Sequence, residues 1–123
     1  MAHEPGMSIL YVASPAASAR FYGRLFGCDP VEESPTFVLF VFGSGVKFGL
    51  WARDGVLPAA GGAPGAAETA IQVGSAAEVD AIHAGWAADG LPILMPPGDF
   101  DFGRSFVVSD PDGHRLRVYA LAD

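Results

Sequence analysis

The chain has 123 residues, half of them hydrophobic and 17% charged, which excludes an intrinsically disordered protein and gives one domain with a core rather than two independent domains. Its formal charge of −7 argues against a nucleic-acid partner, whose phosphates it would repel. Cys28 is the single cysteine, no apolar run approaches the roughly 18–20 residues of a membrane span, and the start lacks the pattern of a secretory signal; a cytoplasmic protein with no membrane partner is expected.

In chain order, a short strand at Ser8–Ala13 comes first. Ser14 is placed to cap a helix and Pro15 to occupy its first position. The helix is expected to run to about Phe26, with Ala17, Phe21 and Leu25 as its buried stripe and Gly27 as its end. Extended runs follow at about Asp29–Glu33 and Thr36–Phe42, and Gly43-Ser44-Gly45 turns into a strand at Val46–Ala52. Residues 53–66, rich in Gly, Pro and Ala, read as a linker.

The second half opens with a strand at Glu68–Val73. Ser75-Ala-Ala-Glu78 is a capping-box pattern, and Val79, Ile82 and Trp86 form the apolar stripe of a second helix. Strands near Ile93–Met95, Ser105–Ser109 and His114–Ala120 complete it. Val12 and Ser14 stand 61 residues before Val73 and Ser75, and Gly27 stands 63 before Gly90. The element order therefore reads as an α+β fold of two βαβββ modules, about 7–52 and 67–121, making a curved mixed sheet with helices on its outer face. A generic α+β sheet with helices on one face is the alternative.

The most specific stretch is Asp101 to Tyr119, DFGRSFVVSDPDGHRLRVY. Two alternating apolar runs flank Asp110-Pro-Asp-Gly113, whose Pro and Asp-Gly are turn chemistry, so this is a hairpin. The stretch resembles the closing strands of the glyoxalase/bleomycin-resistance/extradiol-dioxygenase superfamily, the vicinal oxygen chelate fold. The positions corresponding to that family's metal ligands are Met7, Gly49, Glu68 and Arg117. Taking these as facing a cavity puts Met7, Ile9, Tyr11, Lys47, Gly49, Trp51, Glu68, Ala70, Gln72, Arg115, Arg117 and Tyr119 on the open side. Leu10, Val12, Phe48, Leu50, Ile71, Val73, Leu116 and Val118 then lie under the helices. The first set mixes aromatic, charged and amide groups, as a binding cavity does; the second carries no charge.

Metal-dependent catalysis in that family needs hard His, Gln and Glu ligands. Met7 and Gly49 offer none, and Arg117 is a permanent cation. His3, His83 and His114 do not replace them, so no metal ligand and no cofactor are expected. No nucleophile elbow, P-loop or dinucleotide fingerprint is present, and Cys28 has no cationic neighbour in sequence to activate it. No catalytic residue is assigned. Glu68 and Arg117 are expected to form an ion pair in place of the metal.

Trp51 after an apolar strand, the Phe21-Tyr22 helix motif, Phe102-Gly-Arg104, the turn to His114, and Arg117-Val resemble the phenazine-antibiotic resistance proteins of the superfamily. The resemblance implies a metal-free homodimer that sequesters a planar aromatic compound. The ligand would stack on Trp51 and Phe100, with Phe102, Arg104, Tyr11, Lys47, Glu68, Arg117 and Tyr119 around it. Arg104, Arg115 or Arg117 could pair with a ligand carboxylate. The plainer reading has Phe100 and Phe102 packing the sheet edge and Trp51 filling the core. Two other functions stay open: an enzyme of the same superfamily, and an interaction domain whose trough is filled by side chains.

Overall fold

The computed structural model describes residues 2–123. In chain order it has β1 (Met7–Val12), α1 (Pro15–Phe26), β2 (Glu32–Glu33), β3 (Phe37–Val41) and β4 (Lys47–Ala52), then a short 3-10 turn at Arg53–Gly55. It continues with β5 (Glu68–Gln72), α2 (Ala76–Ala88), β6 (Ile93–Phe100), β7 (Gly103–Ser109) and β8 (Arg115–Leu121). This is βαβββ twice, an α+β fold with two mixed four-stranded sheets, ordered β1-β4-β3-β2 and β5-β8-β7-β6. Parallel pairs join β1 to β4 and β5 to β8, and antiparallel pairs make the rest. The chain divides into two compact units, one ending at Gly62 and the other running Ala63–Asp123.

In the first unit, the Ser14 side chain accepts from the Ala17 N–H at 3.2 Å, Pro15 occupies the first turn, and Gly27 ends α1 in the left-handed region at φ 68°. The buried stripe differs from the expected one. It runs through Pro15, Ser18, Ala19 and Tyr22, one residue round from Ala17, Phe21 and Leu25, which stay half-buried. The cause is the aromatic core: Tyr22 meets Phe48 at 4.9 Å and Phe26 at 5.4 Å, and Phe26 meets Phe40 at 5.6 Å. Rotating Tyr22 outward would break two of these contacts. The second strand is also shorter than expected, two residues beginning at Glu32.

In the second unit, Ser75 accepts from the Glu78 N–H at 3.2 Å. Val79 is fully buried, and Trp86 and His83 meet Phe106 edge-on at 5.5 and 5.2 Å. Phe106, Val108, Leu116 and Val118 form the floor under this helix. The Asp110 carboxylate builds the β7–β8 hairpin, accepting from the N–H groups of Asp112 and His114 at 2.8 Å each. Gly113, at φ 97°, closes the turn.

One strand overturns the expectation. β6 does not end at Met95 but continues through Pro96 and Pro97 to Phe100. It lies at the edge of its sheet, where proline removes no central ladder bond, and two register irregularities near Met95 and Gly98 absorb the misfit. Phe100 is therefore a strand residue, not a loop residue.

Candidate functional site

Strand alternation gives each sheet one face under its helix and one open face. In the second unit, Leu116, Val118 and Ala120 of β8 are buried, whereas Arg115 and Leu121 are exposed and Arg117 and Tyr119 are half-buried. Parallel pairing of Ala70 with Arg117 sets Glu68 diagonally beside Arg117 on the open face. Arg117 donates from Nε to Glu68 Oε2 at 2.6 Å and from Nη2 to Oε1 at 3.1 Å. Its Nη1 donates to the Ser105 hydroxyl on β7 at 2.9 Å, and Ser105 is itself fully buried. The expected ion pair is thus present as a two-pronged contact braced from a third strand.

The β6–β7 hairpin supplies the aromatic wall. Phe100 and Phe102 lie parallel, with ring centroids 5.6 Å apart and planes 6° from each other, and Phe102 meets Tyr119 edge-on at 6.2 Å. The two phenylalanines remain 45% and 43% exposed, too open to be core. The hairpin's tightness rests on Gly103, at φ 144°, where any Cβ would fall onto the carbonyl oxygen of Ala120. Together Phe100, Phe102, Tyr119, Met95, Glu68 and Arg117 line an open concavity of about 550 Å³, a volume suited to a small organic molecule. The Tyr119 hydroxyl donates to Gln72 Oε1 at 3.3 Å, which fixes the ring.

In the first unit the open face carries Trp51. Cross-strand pairing sets Tyr11 on one side of it and Phe37 on the other. Both rings stand edge-on to the indole at 6.3 Å. Met7, Ile9 and Tyr11 are exposed on the same face, and Lys47 is exposed at the start of β4. Phe37 escaped the sequence reading because its run, Phe-Val-Leu-Phe-Val41, is apolar throughout and alternation assigns it no face. Counting back from Trp51 through the Gly43-Ser44-Gly45 turn would have found it.

Arg104 was expected among the ligand contacts, but it points elsewhere. It pairs in register with Ala120, a buried residue of the helix-covered side. Its Nε donates to Asp80 of α2 at 2.7 Å and its Nη1 to Asp99 at 3.1 Å. Asp80 first, then Asp99, raises its pKa above the ordinary arginine value. This guanidinium ties hairpin to helix.

The donor set does not suit the family's divalent metal. Gly49 has no side chain, and a Cβ there would lie 2.8 Å from Phe37 Cζ and 2.9 Å from Met7 Cε, so apolar groups cover the position. Both oxygens of Glu68 are engaged by Arg117. Among the described residues, no three His, Cys, Asp or Glu side chains cluster as a metal site, and no helix is long and apolar enough to cross a membrane.

The chain has known relatives. It is 31% identical over 120 residues to the phenazine antibiotic resistance protein EhpR of Enterobacter agglomerans, covering 95% of this chain and 92% of that one. A protein of Agrobacterium tumefaciens solved by solution NMR is 49% identical over the full length of both chains, with a TM-score of 0.87. A glyoxalase-related enzyme from Fulvimarina pelagi is 27% identical, covering 97% of this chain and 88% of that one, with a TM-score of 0.83. The sequence pattern of the Glyoxalase/Bleomycin resistance protein/Dioxygenase superfamily matches residues 6–118, and the chain belongs to that family.

Proposed function

We propose that this protein binds a small planar aromatic compound of the phenazine-antibiotic type and sequesters it, without a metal and without transforming it. The observation that carries this reading is the Glu68–Arg117 contact: the one hard-metal ligand among the four corresponding positions is held by a guanidinium, while aromatic rings line the concavity beside it. Similarity to a phenazine antibiotic resistance protein supports the choice of ligand class. Protection then works by mass action, so affinity and abundance matter rather than turnover.

Trp51 and the Phe100–Phe102 pair each offer a stacking surface, and offset stacking adds about 0.5–1.5 kcal/mol per ring beyond the area buried. Tyr11 and Phe37 flank the first surface, with Lys47 at the far end of the strand that carries Trp51; Glu68, Arg117 and Tyr119 flank the second. Arg104 is left out because its donors lie on Asp80 and Asp99. On this reading the protein works in the cytoplasm as a homodimer, which sedimentation equilibrium would show as twice the chain mass.

The test is tryptophan fluorescence of metal-stripped protein titrated with phenazine, with Trp51→Ala alongside because Trp86 also emits. Saturable quenching at micromolar or tighter affinity, weakened at least about tenfold in Trp51→Ala, is the expected result. Equal affinity in the two proteins would remove Trp51 from the site, and no binding to wild type would reject the reading.

A further inference from the structure

A stacking wall works only if its rings stay in place, and the two phenylalanines of the second unit are held unequally. Phe102 is fixed from the chain behind it: its carbonyl accepts from the Ala122 N–H at 2.9 Å, and Gly103 next to it pairs with Leu121 of β8. Phe100 belongs to β6, the edge strand, which has a neighbour on one side only. The β6–β7 register slips twice between Ile93 and Gly98, and Pro96 and Pro97 bring no N–H to the ladder. Past that interruption the end of β6 pairs through Gly98 with Ser105, Asp99 with Arg104 and Phe100 with Gly103.

Packing does not fix the Phe100 ring either. It borders two concavities: the one of about 550 Å³ that carries Glu68 and Arg117, and a second of about 350 Å³ whose walls include Ser75, Asp99 and Arg104. The ring therefore has room to lean away from a ligand. A chain of charges opposes this. Asp80 of α2 accepts from Arg104 Nε at 2.7 Å, and Arg104 Nη1 donates to Asp99 at 3.1 Å. Asp99 directly precedes Phe100, and strand alternation sends the two side chains to opposite faces. A hold on Asp99 behind the sheet is a hold on Phe100 in front of it.

We infer that Asp80, which lines neither concavity, is a positioning residue for the ligand: through Arg104 and Asp99 it keeps the Phe100 ring parallel to Phe102 and turned to the open side. The inference rests on the sequestration reading and extends the site to a helix on the covered face. The side chains of Asp80 and Asp99 are 52% and 81% exposed, so the network has the modest strength of surface pairs. It acts on affinity because a ring already in position loses less freedom when the ligand stacks on it.

Equilibrium dialysis of the full chain against phenazine tests this. Asp80→Ala replaces an exposed helix residue by the best helix former, so thermal unfolding is expected to change by no more than a few degrees. Phenazine affinity is expected to fall about three- to fivefold, and Asp80→Glu, which keeps the carboxylate, to restore most of it. Phe100→Leu removes the ring and leaves an apolar side chain. In that background Asp80→Ala is expected to have no further effect on affinity, which a general loosening of the fold would not reproduce. Unchanged affinity in folded Asp80→Ala would overturn the inference. So would an equal loss with and without the Phe100 ring, since Asp80 would then act by another route. If wild type does not bind phenazine, the sequestration reading itself fails and takes the inference with it, an outcome distinct from the other two.

Discussion

Arg117 grips Glu68 with two donors, at 2.6 and 3.1 Å, and reaches the buried hydroxyl of Ser105 with a third. One side chain thus links β5, β8 and β7 across the open face of the second unit. The four metal-ligand positions of the superfamily hold a thioether, no side chain, and this pair.

Glu68→Ala should therefore destabilise the protein. The pair is partly buried, at 35% and 22% side-chain exposure. Its loss is expected to cost about 1–2 kcal/mol, above the ~0.2–1 kcal/mol of a surface pair and below the ~3–5 kcal/mol of a fully buried one. Urea unfolding measures this, and a double-mutant cycle with Arg117→Met should return most of it as coupling. An unchanged unfolding midpoint would refute a structural role for the contact.

Gly49→Ala tests whether Phe37 and Met7 fill the first unit's open face as described. The new Cβ would crowd Phe37 Cζ at 2.8 Å and Met7 Cε at 2.9 Å, both ends of side chains that can move. The expected cost is about 1–2 kcal/mol of overpacking. Because Phe37 stands edge-on to Trp51, the emission of Trp51 should shift as well. The double variant with Phe37→Ala should show less crowding than the sum of the two single changes predicts.

Asp110→Ala should cost more than either. Asp110 is 4% exposed, and its carboxylate accepts two backbone N–H groups at 2.8 Å. Removing it leaves both donors without that acceptor, for an expected loss of about 2–3 kcal/mol. Asp110→Asn keeps an acceptor oxygen and should recover about half. Equal stability of the Asn and Ala variants in thermal unfolding would contradict this account of the hairpin.

Local chemistry made the helix starts legible. Ser14 with Pro15, and Ser75 with Glu78, named the caps that the structure contains, and Asp110-Pro-Asp-Gly113 named its hairpin. What stayed hidden depended on neighbours distant in sequence. Pro96-Pro97-Gly98 reads as a break until β6 is known to be an edge strand. Arg104 reads as a ligand contact until Asp80, 24 residues away, is found beside it. The stripe of α1 shifted by one residue because Tyr22 answers to Phe48, which no helical period reveals. The Glu68–Arg117 pair, 49 residues apart, was legible because the family resemblance placed both at metal-ligand positions, and the structure sets them on one face of one sheet.

The most direct test of metal-free sequestration is equilibrium dialysis of the full chain against phenazine in excess EDTA, with the bound compound recovered and its mass measured. The account predicts saturable binding, an affinity unchanged when Mn²⁺ or Ni²⁺ replaces EDTA, and phenazine recovered intact. Binding that appears only with added metal would contradict it, and recovery of the compound in altered form would make the protein an enzyme.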